Sequence, residues 1–339
     1  MSRTEVAPIK AAFETHKLYG SSHVGAVRSE NQDFIGFARQ DERTLLIVVD
    51  GMGGHSGGYE ASRIATKEMK IFFEESDLPP LELLQQSIAI AHQKILEFAA
   101  NDPSFEGMGT TVVCALIESD RAWLAHVGDS RAHLLRDRVL YQLTIDHTCI
   151  NNIALCGEIA YDQLENHKLG HILDRSLGSE DPPEIEIQVS PIHLTPGDRL
   201  ILSTDGFWQY CSDQDIRELL QDDPLETAIQ DGIAHALNKG GRDNITIAIL
   251  ECLHSNFDKE PILDARTEFK SRVSKAFSAK QIQVAAERKV TNSHGLREEY
   301  MEDASIPLPP PPEPAPIVPI VLGIVATFTI IVLVVVFAL

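Results

Sequence analysis

One pattern recurs four times along this chain and restricts what it can fold into: an apolar, strand-like run with an aspartate and a tight turn at its end. LLIVVDGMGG brings Asp50 out of five apolar residues into a turn with three glycines. WLAHVGDSR brings out Asp129, LILSTDGFW brings out Asp205, and GGRDNITIAIL places Asp243 just ahead of a run. Taken singly, each is an ordinary way to end or open a strand. Taken together, they deliver carboxylates to strand ends flanked by small residues, where a backbone carbonyl can approach as well. Clustered carboxylates raise one another's pKa unless a cation neutralises them. The alternative use of a glycine-rich turn is a phosphate cradle, but GMGGHSGGYE has Tyr59 and Glu60 where a P-loop needs its lysine and hydroxyl.

Further strand-like runs are TTVVCALI (110–117), AHLLR (132–136) and EIEIQV (184–189), and helix-like stretches fall at 59–74, 81–100 and 224–238. Helices come in blocks between strand meanders, unlike the steady alternation of a doubly wound sheet. The expected class is α+β: a central antiparallel β-sandwich flanked by helices on both sides, formed by residues 1–254.

The rest of the chain reads differently. Residues 255–306 are a juxtamembrane linker in which Phe269, Val273 and Phe277 fall four apart among basic residues, the spacing of a short amphipathic helix. Such a helix can lie on lipid, pack on the domain or pair with a partner. PLPPPPEPAP, 307–316, is a polyproline II spacer. IVPIVLGIVATFTIIVLVVVFAL, 317–339, carries no charge over 23 residues, enough at about 1.5 Å per residue to cross a hydrocarbon core of about 30 Å. A C-terminal transmembrane helix is therefore expected, with the lipid bilayer as a partner, a single-pass membrane localisation and the catalytic domain on the cytoplasmic side.

Charge narrows the function. The chain carries a formal charge of −21, and residues 1–254 hold 20 basic and 40 acidic side chains. That balance argues against nucleic acid, which basic faces meet. It suits a carboxylate-lined cation site or plain solubility. All-oxygen ligands select hard ions such as Mg²⁺ or Mn²⁺, and no His/Cys spacing suggests zinc.

VRSENQD, VVDGMGGHSGG, MGTTVV, HVGDSRAHLLR, LTIDHT, LILSTDGFW and GGRDNITIAIL, in that order, resemble the metal-dependent serine/threonine protein phosphatases of type 2C in their bacterial form. The resemblance covers roughly 20–252. It implies a binuclear Mg²⁺/Mn²⁺ site, with a third, weaker metal, at one end of the sandwich. By position, Asp50 resembles the carboxylate bridging both metals and Gly51 a carbonyl ligand. Asp205 and Asp243 resemble ligands of the other metal, and Asp129 helps hold the third. Asp33 resembles a carboxylate that holds metal-bound water, Arg28 the guanidinium that grips the substrate phosphate, and Asn244 a residue that fixes local geometry. The implied reaction is attack of a metal-activated water on phosphoserine or phosphothreonine in proteins phosphorylated by a serine/threonine kinase. Rival readings are an inactive metal-binding scaffold at the membrane and a small phosphate-ester hydrolase on the same fold.

The chain departs from the family at several positions. Met52 stands where the animal branch has the histidine discussed as general acid, and the nearest histidine is His55. Gly58-Tyr59-Glu60-Ala61-Ser62 lacks the usual glutamate in register. In the segment that resembles the bacterial flap, Lys168, Gly170 and His171 replace the usual proline, arginine and asparagine. Asp146 is a candidate loop anchor.

Overall fold

The computed structural model describes residues 4–53, 56–164, 167–222 and 224–301, with side chains as far as Val284. Gly54, His55, and the spacer and apolar run at 307–339 lie outside the described residues, so the expectations for His55 and for a membrane-crossing helix fall outside them too. No helix among the described residues is long and apolar enough to cross a membrane. The chain divides into two compact units, Met1–Val284 and Ala285–Leu339. Of the second, only the continuation of one helix to Met301 is described.

Strands β1 (Ile9–Ala12), β2 (His16–His23), β3 (Asp33–Gln40) and β4 (Arg43–Met52) come first, followed by helices α1 (Gly57–Glu74) and α2 (Pro80–Asn101). A second run of strands comprises β5 (Gly109–Thr110), β6 (Val112–Glu118), β7 (Arg121–Val127), β8 (Arg131–Arg136) and β9 (Val139–Gln142). Helix α3 (Cys149–Leu155) opens an excursion, the flap, that returns through the short strands β10 (Glu186–Ile187) and β11 (Ile192–His193). The chain then runs through β12 (Arg199–Ser203), α4 (Asp205–Trp208), α5 (Asp213–Leu220), α6 (Leu225–Asn238), β13 (Ile245–Cys252) and α7 (Ala265–Met301).

Two sheets result, ordered β1-β2-β13-β12-β8-β9 and β10-β7-β6-β4-β3, with β11 on β7 and β5 on β4. Every strand pairing is antiparallel. The apolar runs that lack alternation are strands buried on both faces. In β4, Leu46 and Val48 point between the sheets, where they meet Leu134, Leu202 and Leu250. Leu45, Ile47 and Val49 point outward to Met69, Phe73 and Ile88 of α1 and α2. In β13, Ala248 and Leu250 face the sandwich, while Ile245, Ile247 and Ile249 face Ile216, Ile229 and Ile233 of α5 and α6. Each such side chain contributes about 1.5–3 kcal/mol on burial. The order is thus helices, sheet, sheet, helices.

Helix α1 starts directly after the glycine turn and lies hard against β4. A Cβ on Gly51 would drive into the Gly58 carbonyl and the Ser62 hydroxyl. Only glycine lets the helix start that close to the end of the strand.

A fourth, separate core holds the flap. Ala154 of α3 is buried with Phe269 and Val273 of α7, and Leu155, Ile159, Tyr161 and Leu164 pack around them. Of the surfaces open to the 255–306 helix, Phe269 and Val273 therefore meet the domain itself.

Candidate active site

Antiparallel pairing decides which strand ends meet. Asp33, the first residue of β3, stands opposite Asp50 near the end of β4. The end of β12 lies beside the start of β13, with Ser203 opposite Ile247, so Asp205 and Asp243 flank the same edge. Val112 at the start of β6 pairs with Val127 at the end of β7, which puts the Gly128–Asp129 turn at that end as well. There a cavity of about 750 Å³ is lined by Arg28, Asp50, Gly51, Asp129, Asp205, Asp243 and Asn244, and on its flap side by residues 171–176 and Ser179.

The hydrogen bonds show how each side chain is held. Asp33 is fully buried. Its Oδ2 accepts from the Thr246 hydroxyl at 2.6 Å and the Thr204 hydroxyl at 2.9 Å, while its Oδ1 is buried with no partner. The Asp50 N–H donates to the Thr111 hydroxyl at 3.0 Å, and the Asp50 carbonyl accepts from the Thr111 N–H at 2.8 Å. Gln209 donates to Asp205 Oδ2 at 2.7 Å, leaving Asp205 Oδ1 buried and unpartnered. The Trp208 indole donates to the Asp129 carbonyl at 3.1 Å. Arg131 stacks over that indole, 3.3 Å from the ring centroid, and forks onto Asp146 with bonds of 2.8 and 2.7 Å.

Asn244 ties the Arg28 loop to β13. Its Nδ2 donates to the carbonyls of Val24 (2.8 Å) and Glu30 (3.0 Å), and its Oδ1 accepts from the Gln32 N–H (2.8 Å). Arg28 itself is exposed and donates to Asp243 Oδ2 at 2.8 Å.

The electrostatics are those of buried carboxylates crowded together. Burial pushes Asp33 up to about 7, against the pull of its two hydroxyl donors. Asp50 is raised well above the ordinary carboxylate range by burial, then by Asp33, Asp205, Asp129 and Asp243. Asp129 is raised well above it by burial, then by Asp205 and Asp146. Asp205 is raised by burial and then by Asp243. Two orphaned carboxylate oxygens and an all-oxygen donor set fit hard divalent cations.

Among the described residues, one trio of ligand-type atoms lies within 4.8 Å of one another: His126, His147 and Glu186. The aspartates thus ring the cavity more widely than one ion's ligand shell. The His-His-Glu trio is already engaged. His147 Nδ1 accepts from the Gly128 N–H at 3.2 Å, so its Nε2 carries the proton and donates to Glu186 at 3.2 Å. His126 Nε2 donates to the Ile145 carbonyl at 2.9 Å. The rings stack 4.4 Å apart at 22°. Nearly parallel rings do not aim their lone pairs at one point, and the trio instead fastens the Asp129 turn to the segment before the flap.

Sequence reasoning did not single out Thr204, Thr246, Gln209 or Trp208. The adjacency of Thr204 to Asp205 is a signal; the hydroxyl of Thr246 inside β13 looks like any strand residue. Asp146, noted as a loop anchor, pairs with Arg131.

Residues 19–248 match the family model described as protein phosphatase 2C. Protein phosphatase PhpP of Streptococcus pneumoniae is 33% identical over 233 residues, 67% of this chain and 94% of that protein. The solved serine/threonine phosphatase of S. agalactiae is 31% identical with a TM-score of 0.64, over 70% of this chain and 99% of that one. The catalytic domain of serine/threonine protein phosphatase PstP, solved in complex with two manganese ions, is 30% identical with a TM-score of 0.60, over 70% of this chain and 99% of that one. With a sandwich of this topology and carboxylates gathered at one end of it, the chain belongs to the protein phosphatase 2C family and is a metal-dependent serine/threonine protein phosphatase.

Proposed function

We propose that the chain hydrolyses phosphoserine and phosphothreonine in phosphorylated proteins at this cavity, with two Mg²⁺ or Mn²⁺ ions and a weaker third, while 317–339 tethers it to a membrane with the domain on the cytoplasmic side. The observation that carries the reading is the convergence of Asp50, Asp129, Asp205 and Asp243 on one cavity, with Asp33 Oδ1 and Asp205 Oδ1 left without partners. Asp50 would bridge two ions, Gly51 would offer its carbonyl to one, Asp205 and Asp243 would hold the other, and Asp129 the third. Bound there, divalent ions lower the pKa of water and draw charge from phosphoryl oxygens.

The chain's own groups do the rest. Arg28 swings from Asp243 to fork onto two phosphoryl oxygens, a match for its planar guanidinium. Asp33, its Oδ2 fixed by two threonines, presents Oδ1 as the acceptor for a proton of the attacking water. The water oxygen bonds to phosphorus, the bond from phosphorus to the serine or threonine Oγ breaks, and that oxygen takes a proton from His55 or solvent. The substrate would come from an opposing serine/threonine kinase.

The test is phosphate release from a phosphothreonine protein with Mn²⁺. Release is expected to stop with chelator and with Asp205→Asn. Mn²⁺ binding without release would leave a scaffold, and release only from small esters would leave the third reading. Deleting 317–339 is expected to move the chain from the membrane fraction to the soluble one; unchanged fractionation would sink the tether.

A further inference from the structure

The flap reaches the catalytic cavity at one end and α7 at the other, and the two ends are held by different means. At the cavity, backbone bridges pin it: Leu177 exchanges hydrogen bonds with Thr110 at 3.0 and 2.9 Å, and the Cys149 N–H donates to the Ile172 carbonyl at 2.8 Å. At the far end, none of the described residues pairs with a sheet. Leu155, Ile159, Tyr161 and Leu164 have as their apolar cluster the one centred on Ala154, Phe269 and Val273, apart from the three cores of the sandwich.

Helix α7 is in turn tied to the sandwich side of the molecule. Asp264 caps it, accepting from the Arg266 N–H at 2.9 Å, and its other oxygen accepts from the Gln142 N–H at 3.2 Å. Arg266 donates to Asp213 of α5 at 2.6 Å. Further along, Gly157 is left-handed with φ +76°, and a Cβ there would meet the Ala276 carbonyl. Lys280 reaches Glu158 at 3.0 Å. The helix follows the stretch 19–248 that matches the family, so this contact is an addition to the matched region.

The geometry points to α7 as a strap that positions the flap over the catalytic cavity, with Phe269 and Val273 as positioning residues. The chain after the catalytic domain thereby sets the surface that a phosphoprotein meets at residues 171–176. The inference rests on the catalytic reading of the cavity for its kinetic consequence; its structural consequence does not.

The test uses the full chain in detergent, with Val273→Asp, Phe269→Ala and the conservative Phe269→Leu. Hydrogen exchange is followed in peptides covering 149–161, in α7 at 265–280, and in β4 and β13 as internal references. Val273→Asp and Phe269→Ala are expected to speed exchange in both α7 and 149–161 by about 10-fold or more, with the reference strands unchanged. Phe269→Leu is expected to restore protection. In kinetics, KM for a phosphothreonine protein is expected to rise about 5-fold while turnover of p-nitrophenyl phosphate holds. Faster exchange in α7 with 149–161 unmoved would overturn the proposal. So would an α7 that stays protected in both disruptive variants, because the two contacts would then not hold it. Loss of all phosphatase activity in the unaltered chain would instead sink the catalytic reading and leave the exchange result standing.

Discussion

Arg28 Nη2 lies 2.8 Å from Asp243 Oδ2, so the cation proposed to grip phosphate rests on a carboxylate proposed to hold a metal ion. Both side chains are partly open to solvent, and pairs of this kind are worth about 0–1 kcal/mol. The contact is therefore easily exchanged for a phosphate.

Arg28→Ala removes the phosphate contact and uncovers Asp243. We expect KM for a phosphothreonine peptide to rise about 10-fold or more, and Mn²⁺ affinity to hold or improve. Steady-state kinetics with Mn²⁺ titration checks both. A fall in metal affinity equal to the rise in KM would remove Arg28 from the phosphate site.

The crowded carboxylates make stability depend on pH in a defined direction. In the unfolded chain an aspartate loses its proton near about 3.9. In the folded chain Asp33 keeps it to about 7, and Asp50, Asp129 and Asp205 are raised as well. Between those limits the folded state holds more protons than the unfolded one. The stability these groups give the metal-free chain is therefore fully present below about pH 3.9 and is lost as pH rises through about 7. Divalent ions replace the protons, so the rise in Tm on adding Mg²⁺ or Mn²⁺ should be larger at about pH 8 than at about pH 5. Thermal melts with and without chelator measure this; an equal shift at both values would mean that the ions bind elsewhere.

Asp33→Asn separates charge from geometry. The Asn Oδ1 can still accept from Thr204 and Thr246, so the buried site keeps its packing while losing a carboxylate that costs about 2 kcal/mol or more to ionise there. The chelated variant is expected to melt higher than the parent at about pH 8, and phosphatase activity with Mn²⁺ is expected to fall on the order of 10–100-fold. A variant that melts lower in chelator would show that the Asp33 charge is already compensated in the metal-free fold.

Much of the sandwich was legible because β4, β6, β7, β12 and β13 are apolar on both faces, and a buried strand has no other composition to take. The strands β2 and β3 were not. HKLYGSSH and DFIGFARQ mix polar and apolar residues because β2 lies near the sheet edge and β3 is the last strand of its sheet. The aspartates at strand ends could be listed from turn chemistry alone. That Asp33 faces Asp50 could not, since it follows from the β3–β4 register, and register is a tertiary fact. The spacing of Phe269 and Val273 marked a helix face but not its partner: Ala154 and Leu164 lie more than a hundred residues upstream, in a segment with no strong period of its own.

Asn244 offers the most direct test of how the Arg28 loop is held. Its side chain meets three backbone groups: the Val24 and Glu30 carbonyls and the Gln32 N–H. Asn244→Ala removes these three hydrogen bonds at a position that is 4% exposed, and each costs about 0.5–1.5 kcal/mol when lost. Asn244→Asp keeps the shape and the acceptor but turns the amide donor into a second carboxylate oxygen facing two carbonyls, beside Asp243. It is expected to be the worse of the two in chelator and to recover part of the difference with Mn²⁺, because added negative charge near the cavity is then neutralised. Both should raise KM for a phosphopeptide by loosening Arg28. Melting curves and KM for the pair check this, and an Asn244→Asp chain as stable as the parent in chelator would mean that the amide donors do not fasten the loop.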